Sequence, residues 1–221
     1  MGDIIETEVK LRKRFLHHTV AAFAGFLGAY AILLRSDFFG NAQTSNLIYL
    51  MFAIVGCNFK EILIRVGGLA IYLSATLIYV YVDRKIRRDV RIFSLLVNAV
   101  AIILLALMPS DINPIIGLYP IFFAMPLQWS SFPGVYGYAS SSIFSTNNTR
   151  QVALSFGEFL VDGDRKHLHK TVFFLGSLIG FNFGAAMGYI ATKNYLQQAV
   201  WFDFIFLVAA AVQLVFVIRK S

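Results

Sequence analysis

The chain has 221 residues, of which 58% are hydrophobic and 14% are charged, and its mean hydropathy is +0.69. Soluble domains average about 45–50% apolar and about 25% charged residues, so this composition excludes a soluble globular domain and a disordered chain. The single cysteine excludes an internal disulfide framework. The net charge of +7 does not indicate nucleic acid, because the basic residues stand in short runs between apolar segments.

Six apolar runs are long enough to cross a hydrocarbon core, which takes about 20 helical residues. In chain order they cover residues 15–34, 62–82, 90–108, 114–129, 172–191 and 200–218. Two shorter segments, 41–55 and 145–160, each open with a polar cluster. No segment has the period-two alternation of a membrane barrel. The sequence therefore predicts an all-α membrane protein with about six transmembrane helices and two short re-entrant or broken helices.

The basic residues select between two topologies. If both short segments crossed completely, the strongly basic loop 83–91 would lie outside, against the positive-inside rule. If both segments turn back, residues 1–14, the loops 83–91 and 162–170 and the C-terminus lie together, with most of the 19 basic residues. We therefore predict a multi-pass protein of the cell membrane with both termini cytoplasmic and residues 1–14 as a cytoplasmic tail.

The two polar clusters stand about a hundred residues apart, and each is followed by two long apolar runs. Each half then contains three full spans, and an odd number requires the second half to insert upside down. The sequence predicts two inverted repeats, residues 15–110 and 111–221, a design of secondary transporters whose substrate binds near the midplane. The open alternative is that the polar breaks are ordinary loops.

The polar clusters carry the candidate site. Ser, Thr and Asn are favoured helix caps, so one interpretation is that they only cap two helix starts. The other is that free N–H groups and the positive ends of two helix dipoles bind a polar solute, with Arg150 suiting an anion. Glu158 is expected to pair with Arg150 or Arg65, or to relay protons. The predicted binding residues are Thr44, Ser45, Asn46, Thr146, Asn147, Asn148, Thr149, Arg150 and Glu158.

Other polar and small residues in the apolar runs suggest packing. Four glycines at 176, 180, 184 and 188 share one helix face, which predicts close approach of another helix, within the chain or in a homodimer. Asn98, Gln128 and Asn182 are expected to line a cavity or to bond across helices. Asp203, among aromatic residues, is interpreted as an interfacial helix end. The four histidines lack metal-ligand spacing, so no metal site is predicted.

Residues 24–29 read Ala-Gly-Phe-Leu-Gly-Ala, and residues 38–46 read Phe-Phe-Gly-Asn-Ala-Gln-Thr-Ser-Asn. This pair resembles the first signature of the YoaK-like family of small bacterial multi-pass membrane proteins, and residues 122–128 with 146–150 resemble its second. Gly28 stands where the family has an acid, and Ser45 where it has Gly, so no proton-coupling role is carried over. The resemblance implies the architecture and a bacterial inner-membrane location.

No enzyme signature is present: the sequence has no Gly-x-Ser-x-Gly element, phosphate loop, dinucleotide fingerprint or His-Glu-x-x-His element. We therefore expect no catalytic activity and no cofactor. The predicted function is a transporter or channel for a small polar solute, for which Arg150 suggests an anion. The alternative is a non-transporting membrane subunit of a larger complex. The expected partners are the lipid bilayer, the solute and, where the glycine face is intermolecular, a second copy of the chain.

Overall fold

The computed structural model describes residues 2–86 and 89–220, and within them it contains helices and turns but no strand. Helix accounts for 82% of the structure. The helices are α1 (Gly2–Leu34), α2 (Thr44–Val55), α3 (Phe59–Lys85), α4 (Val90–Leu107), α5 (Tyr119–Ser131), α6 (Thr146–Asp162), α7 (Arg165–Tyr195) and α8 (Phe204–Lys220). A short 3₁₀ turn, Ile116–Leu118, leads into α5, and a longer 3₁₀ segment, Leu196–Asp203, joins α7 to α8.

Four stretches are long and apolar enough to cross a membrane: Glu6–Leu34, Phe59–Lys85, Val90–Leu107 and Arg165–Lys220, the last containing both α7 and α8. Large apolar side chains cover their outer surfaces, as at Leu77, which is 71% exposed. Such a surface is stable against lipid, while the helices satisfy their own backbone groups. The chain is a helical membrane protein.

Short polar residues set several helix boundaries. The side chains of Asn58 and Asp164 accept backbone N–H bonds at the starts of α3 and α7, which is the usual role of an N-cap. Gly163 ends α6 in the left-handed conformation at φ 71°. Of the expected tail 1–14, the described residues 2–14 belong to α1, where Glu6–Lys10 and Glu8–Arg12 pairs four residues apart support the helix.

Of the four spanning stretches, the one in α1 is the most buried. Helix α1 packs against α7 and α8, while α5 packs against α3 and α4. The core is formed by side chains such as Phe23, Leu27 and Tyr30 from α1 and Ile121 and Met125 from α5. The chain thus does not pack helices in sequence order, because its first helix takes its main partners from the last third.

The four-glycine face of α7 packs within the chain, as predicted for close helix approach. Gly180, Gly184 and Gly188 lie against the backbone of α1 at His18, Ala22 and Phe26, respectively. On the other side of the bundle, Gly67 and Gly68 of α3 lie against the rings of Tyr119 and Phe122 of α5.

Polar contacts identify which helix ends meet at each end of the bundle. At one end, Lys220 Nζ lies 2.6 Å from Glu8 Oε1, and His18 Nε2 lies 3.2 Å from the Phe173 carbonyl. At the other, the hydroxyl of Tyr30 donates to the Gln197 carbonyl at 3.2 Å, and the Gln197 amide donates to the Met108 carbonyl. The starts of α1 and α7 and the end of α8 therefore share one end.

Candidate functional site

The chain leaves the end of α1 and turns back toward the middle of that helix. There Asn41, fully buried, donates from its side-chain amide to the carbonyls of Ala24 at 2.7 Å and Ile143 at 2.9 Å. Ala24 belongs to α1, and Ile143 belongs to the loop before α6. One amide therefore joins both loops to the bundle centre, where α2 and α6 then begin.

Thr44 and Thr146, the first residues of α2 and α6, line the same cavity of about 770 Å³. We call it the inter-cluster cavity. The two polar clusters meet there, although about a hundred residues separate them. Its lining consists of Phe39, Ala42, Gln43, Thr44, Ser45, Leu47, Ile48, Tyr72, Trp129, Phe144 and Thr146.

The lining of the inter-cluster cavity is mostly apolar, with a few polar groups and no charged residue. Its described lining supplies hydroxyls, one amide and four aromatic rings, and none of those residues is an acid or a base. The Trp129 and Phe144 rings meet edge to face, with 5.0 Å between centroids. Such a lining can hydrogen-bond an uncharged solute and pack against its apolar faces.

The interpretation that the cluster residues cap α2 and α6 is wrong. Gln43 and Ser145 occupy the cap positions, and neither makes a side-chain cap bond with the described residues. The Thr149 hydroxyl instead donates back to the Ser145 carbonyl at 3.1 Å. Backbone N–H groups in the first turns therefore have no side-chain cap from Gln43 or Ser145.

Asn46 is buried and connects α2 to α3. Its amide donates to Gln43 Oε1 at 2.7 Å and to the Arg65 carbonyl at 3.3 Å, and Arg65 Nη1 donates to its oxygen at 3.4 Å. Arg65, only 3% exposed, also pairs with Glu61 at 2.6 Å and lies over the Tyr49 ring. Asn46 thus supports the helix that presents Thr44 and does not line the cavity.

Asn148 has the equivalent role beside α6. Its amide donates to the Ser141 carbonyl at 2.7 Å, and its oxygen accepts from Ser140 Oγ at 3.1 Å. Asn147, partly exposed, donates to the Ala139 carbonyl at 3.3 Å. Together these amides hold α6 against the preceding loop, and they also lie outside the cavity lining.

Two predictions about charged residues need correction. Arg150 is exposed and lies outside the inter-cluster cavity. Glu158 was expected to pair with Arg150 or Arg65, and this is wrong: its Oε2 lies 3.0 Å from His167 Nδ1 and 3.9 Å from Lys170 Nζ. The turn at Gly163 places the first turns of α7 beside the end of α6, where both partners are available.

The other polar residues singled out have separate roles. Asn98 of α4 donates to Gln128 of α5 at 2.7 Å, as expected for a bond across helices. Asn182 is exposed and donates within its own helix. Asp203 lies at a helix end, directly before α8, where it is fully buried and its two oxygens have no hydrogen-bond partner among the described residues. The same part of the chain offers no group of three ligating side chains that could hold a metal ion.

Eight lining residues were missed by sequence reasoning, and five of them carry a polar or aromatic side chain: Phe39, Gln43, Tyr72, Trp129 and Phe144. Four of these five had a local signal, because Gln43 lies within the first cluster, Phe39 and Phe144 adjoin the clusters, and Trp129 follows the noted Gln128. Tyr72 lies in the middle of α3 and had no such signal. Only the packed structure brings it to the cavity.

A bundle of apolar helices long enough to cross a membrane several times defines a multi-pass helical membrane protein. The chain belongs to the family described as "Protein of unknown function (DUF1275)", whose model matches residues 16–213. This match is consistent with the resemblance to the YoaK-like family. No curated protein and no solved structure matches the chain.

Proposed function

We propose that the protein is a transporter or channel for a small polar, uncharged solute that binds in the inter-cluster cavity. The observation that supports this most directly is that Thr44 and Thr146 line one cavity from opposite halves of the chain. Each residue also begins a helix, so backbone N–H donors and the positive ends of two dipoles accompany the hydroxyls.

The proposed topology has six crossings, with α5 as the shortest, and two re-entrant segments that end in α2 and α6. The contacts between Glu8 and Lys220 and between His18 and Phe173 support it, because they place three helix ends on one side. The bonds of Gln197 to Tyr30 and Met108 bring the ends of α1, α4 and α7 together on the opposite side. The basic runs assign the first side, with both termini, to the cytoplasm.

The packing pattern supports the proposed inverted repeat. If α1 to α4 correspond to α5 to α8, then the packing of α1 on α7 and α8 corresponds to the packing of α5 on α3 and α4. Likewise, α2 on α3 corresponds to α6 on α7. Exchange of the halves thus preserves the main contacts, which is the relationship expected of inverted repeats around a central site.

The lining favours a neutral solute over the anion that Arg150 suggested. An ion in a site without a counter-charge loses its hydration at high cost, and the described lining contains no charged residue. The donors available at Thr44 and Thr146 suit the oxygen atoms of hydroxyl, carbonyl or amide groups. The four rings suit the apolar carbon atoms beside such groups.

The test is solute flux in proteoliposomes made with the full chain. A series of neutral polyols and amides is compared with small anions such as formate and nitrate. We expect wild type to conduct a neutral solute, Thr44→Trp to block it by filling the cavity, and Thr146→Val to slow it about fivefold through loss of one hydrogen bond.

Thr149→Val is the matched control, because Thr149 is exposed outside the cavity and bonds only to its own helix start. Its flux should equal that of wild type. Absence of flux for every solute, together with co-purification of a stable partner, would instead support the alternative of a non-transporting membrane subunit.

A further inference from the structure

A polar cavity, of about 170 Å³, lies at the end of the bundle where α1 begins. It is separate from the inter-cluster cavity and takes no part in the proposed transport. We call it the basic cavity, and its lining consists of Lys13, Leu16, His17, Arg91, Ser131, Phe132, Pro133, Gly134 and Val135. Three parts of the chain meet there: α1, the start of α4 and the end of α5.

Two cations line the basic cavity, and one of them is already paired. Arg91 donates to both carboxylate oxygens of Asp89, at 2.8 and 2.5 Å. Those bonds use two of the five guanidinium N–H groups and leave three. Lys13 makes no hydrogen bond or ion pair within the part of the chain that the structure describes, although its charge helps to lower the pKa of Asp89 after the larger effect of Arg91. The side chains of Lys13, Arg91 and Asp89 together carry one net positive charge.

Ser131 provides an independent sign of a ligand. It is 6% exposed, and its Oγ has no hydrogen-bond partner among the described residues. A buried hydroxyl without a partner is unfavourable, so native proteins usually supply one. Beside it, His17 is buried with its Nε2 2.9 Å from Ser140 Oγ. Two polar residues of the cavity wall, His17 and Ser131, are therefore buried, while Lys13 and Arg91 are partly exposed.

We propose that the basic cavity binds a phosphate group, with Lys13, Arg91 and Ser131 as its ligands. Liquid water occupies about 30 Å³ per molecule, so this cavity has the volume of about five or six waters and suits one phosphate and not a large solute. Two sources share this chemistry: free inorganic phosphate, and the headgroup of an anionic lipid, which is enriched at cytoplasmic membrane surfaces.

The experiment measures thermal unfolding of the purified full chain in maltoside micelles, which contain no phosphate. One arm titrates sodium phosphate against sodium chloride at equal ionic strength, and the other adds phosphatidylglycerol against phosphatidylcholine. We expect a saturable rise of the unfolding temperature in at least one arm. The half-saturating concentration should increase about tenfold in Lys13→Gln, through loss of one charge-assisted bond.

Ser131→Ala is the second variant, because it removes only the hydroxyl and provides a test where Lys13→Gln fails to fold. Lys166→Gln is the matched control, since Lys166 is exposed near the start of α7 and lies outside the cavity. Stabilisation by phosphate supports the free ion, and stabilisation by phosphatidylglycerol alone supports the lipid. The proposal is overturned if neither ligand stabilises the protein, or if the ligand effect is as strong in Lys13→Gln and Ser131→Ala as in Lys166→Gln.

Discussion

Gly184 of α7 lies so close to Ala22 of α1 that a Cβ atom at Gly184 would be 1.8 Å from the Ala22 carbonyl oxygen. Backbone cannot yield as a flexible side chain does, so this position requires glycine. Close approach of this kind maximises packing between helices in lipid, where the hydrophobic effect does not drive their association. The contact between α1 and α7 therefore depends on the absence of one methyl group.

Gly184→Ala should destabilise the protein by about 1–3 kcal/mol, because overpacking outweighs the better helix propensity of alanine. The matched control is Gly157→Ala in α6, where an added Cβ meets no described atom within 4 Å. Thermal unfolding in detergent measures both. The packing argument fails if Gly184→Ala unfolds at the same temperature as Gly157→Ala.

The bond between Asn98 and Gln128 should contribute stability that a double-mutant cycle detects. Gln128 also donates to the Val20 carbonyl at 2.9 Å, so it connects α4, α5 and α1. We expect Asn98→Leu and Gln128→Met each to destabilise, with a coupling energy of about 0.6–2 kcal/mol. Asn182→Leu is the control, because Asn182 is exposed and its side chain bonds only within its own helix. This variant should have little effect on stability. Additive losses from Asn98→Leu and Gln128→Met would show that the bond contributes nothing.

Glu61→Gln should destabilise the chain because it leaves the buried Arg65 guanidinium without its carboxylate partner, which lies 2.6 Å away. Loss of one partner of a buried pair is costly; since Glu61 is 28% exposed, we expect about 1–3 kcal/mol. Glu6→Gln breaks an exposed pair of the same spacing and should leave the unfolding temperature unchanged. Equal effects of the two variants would contradict the buried role of Arg65.

The stability contributed by Asp89 should depend on pH. Hydrogen bonds from the Arg91 side chain hold the pKa of Asp89 below its ordinary value. A depressed folded-state pKa gives stability that is present above the unfolded-state pKa, about 4, and is lost as the pH falls through the folded-state pKa. Asp89→Asn should therefore be less stable than wild type at pH 7, by less than about 1 kcal/mol.

Unfolding temperatures between pH 3 and pH 7 test this, with the exposed Asp111→Asn as the control. The gap between wild type and Asp89→Asn should narrow toward acid pH. A gap that stays constant would contradict a contribution from the charge of Asp89, because asparagine can keep the helix cap that Asp89 forms with the Arg91 N–H.

Cysteine labelling tests the proposed topology. Cys57 is exposed between α2 and α3, on the side that we assign to the exterior. A membrane-impermeant maleimide should label it in intact spheroplasts. In a Cys57→Ser background, Lys166→Cys should be labelled only after lysis. Labelling of Lys166→Cys in intact spheroplasts would contradict the six-crossing arrangement.

Hydropathy was sufficient to predict α3 and α4, whereas the run predicted as a span at 114–129 contains only the short helix α5, Tyr119–Ser131. The predicted run 90–108 corresponds to Val90–Leu107 in the structure, and the run 62–82 corresponds to Phe59–Lys85. The starts of these two helices are set by the N-cap residues Asn58 and Asp89. The start of α1 was predicted too late, at residue 15, since its first turns are polar and are supported by charge pairs, not by lipid.

The site was predicted only in part, for a physical reason. The clusters were visible as polar breaks, and Thr44, Ser45 and Thr146 do line the cavity. A local sequence pattern does not reveal which cluster side chains point away from the cavity. Asn46 and Asn148 bond to partners that only tertiary packing brings close. The partners of Glu158 were missed because the Gly163 turn, and not helix periodicity, determines them.

The packing of α1 on α7 has a consequence for biosynthesis. Helix α1 is complete at Leu34, but its partner face extends to Gly188. At about 5–20 residues per second, the ribosome needs roughly 8–30 s to make the intervening chain. During that time the small-residue surface of α1 has no native neighbour in the bilayer. Until α7 is made, the insertion machinery or surrounding lipid must therefore cover this surface of α1. A product truncated after α4 would lack α7, the helix that α1 contacts.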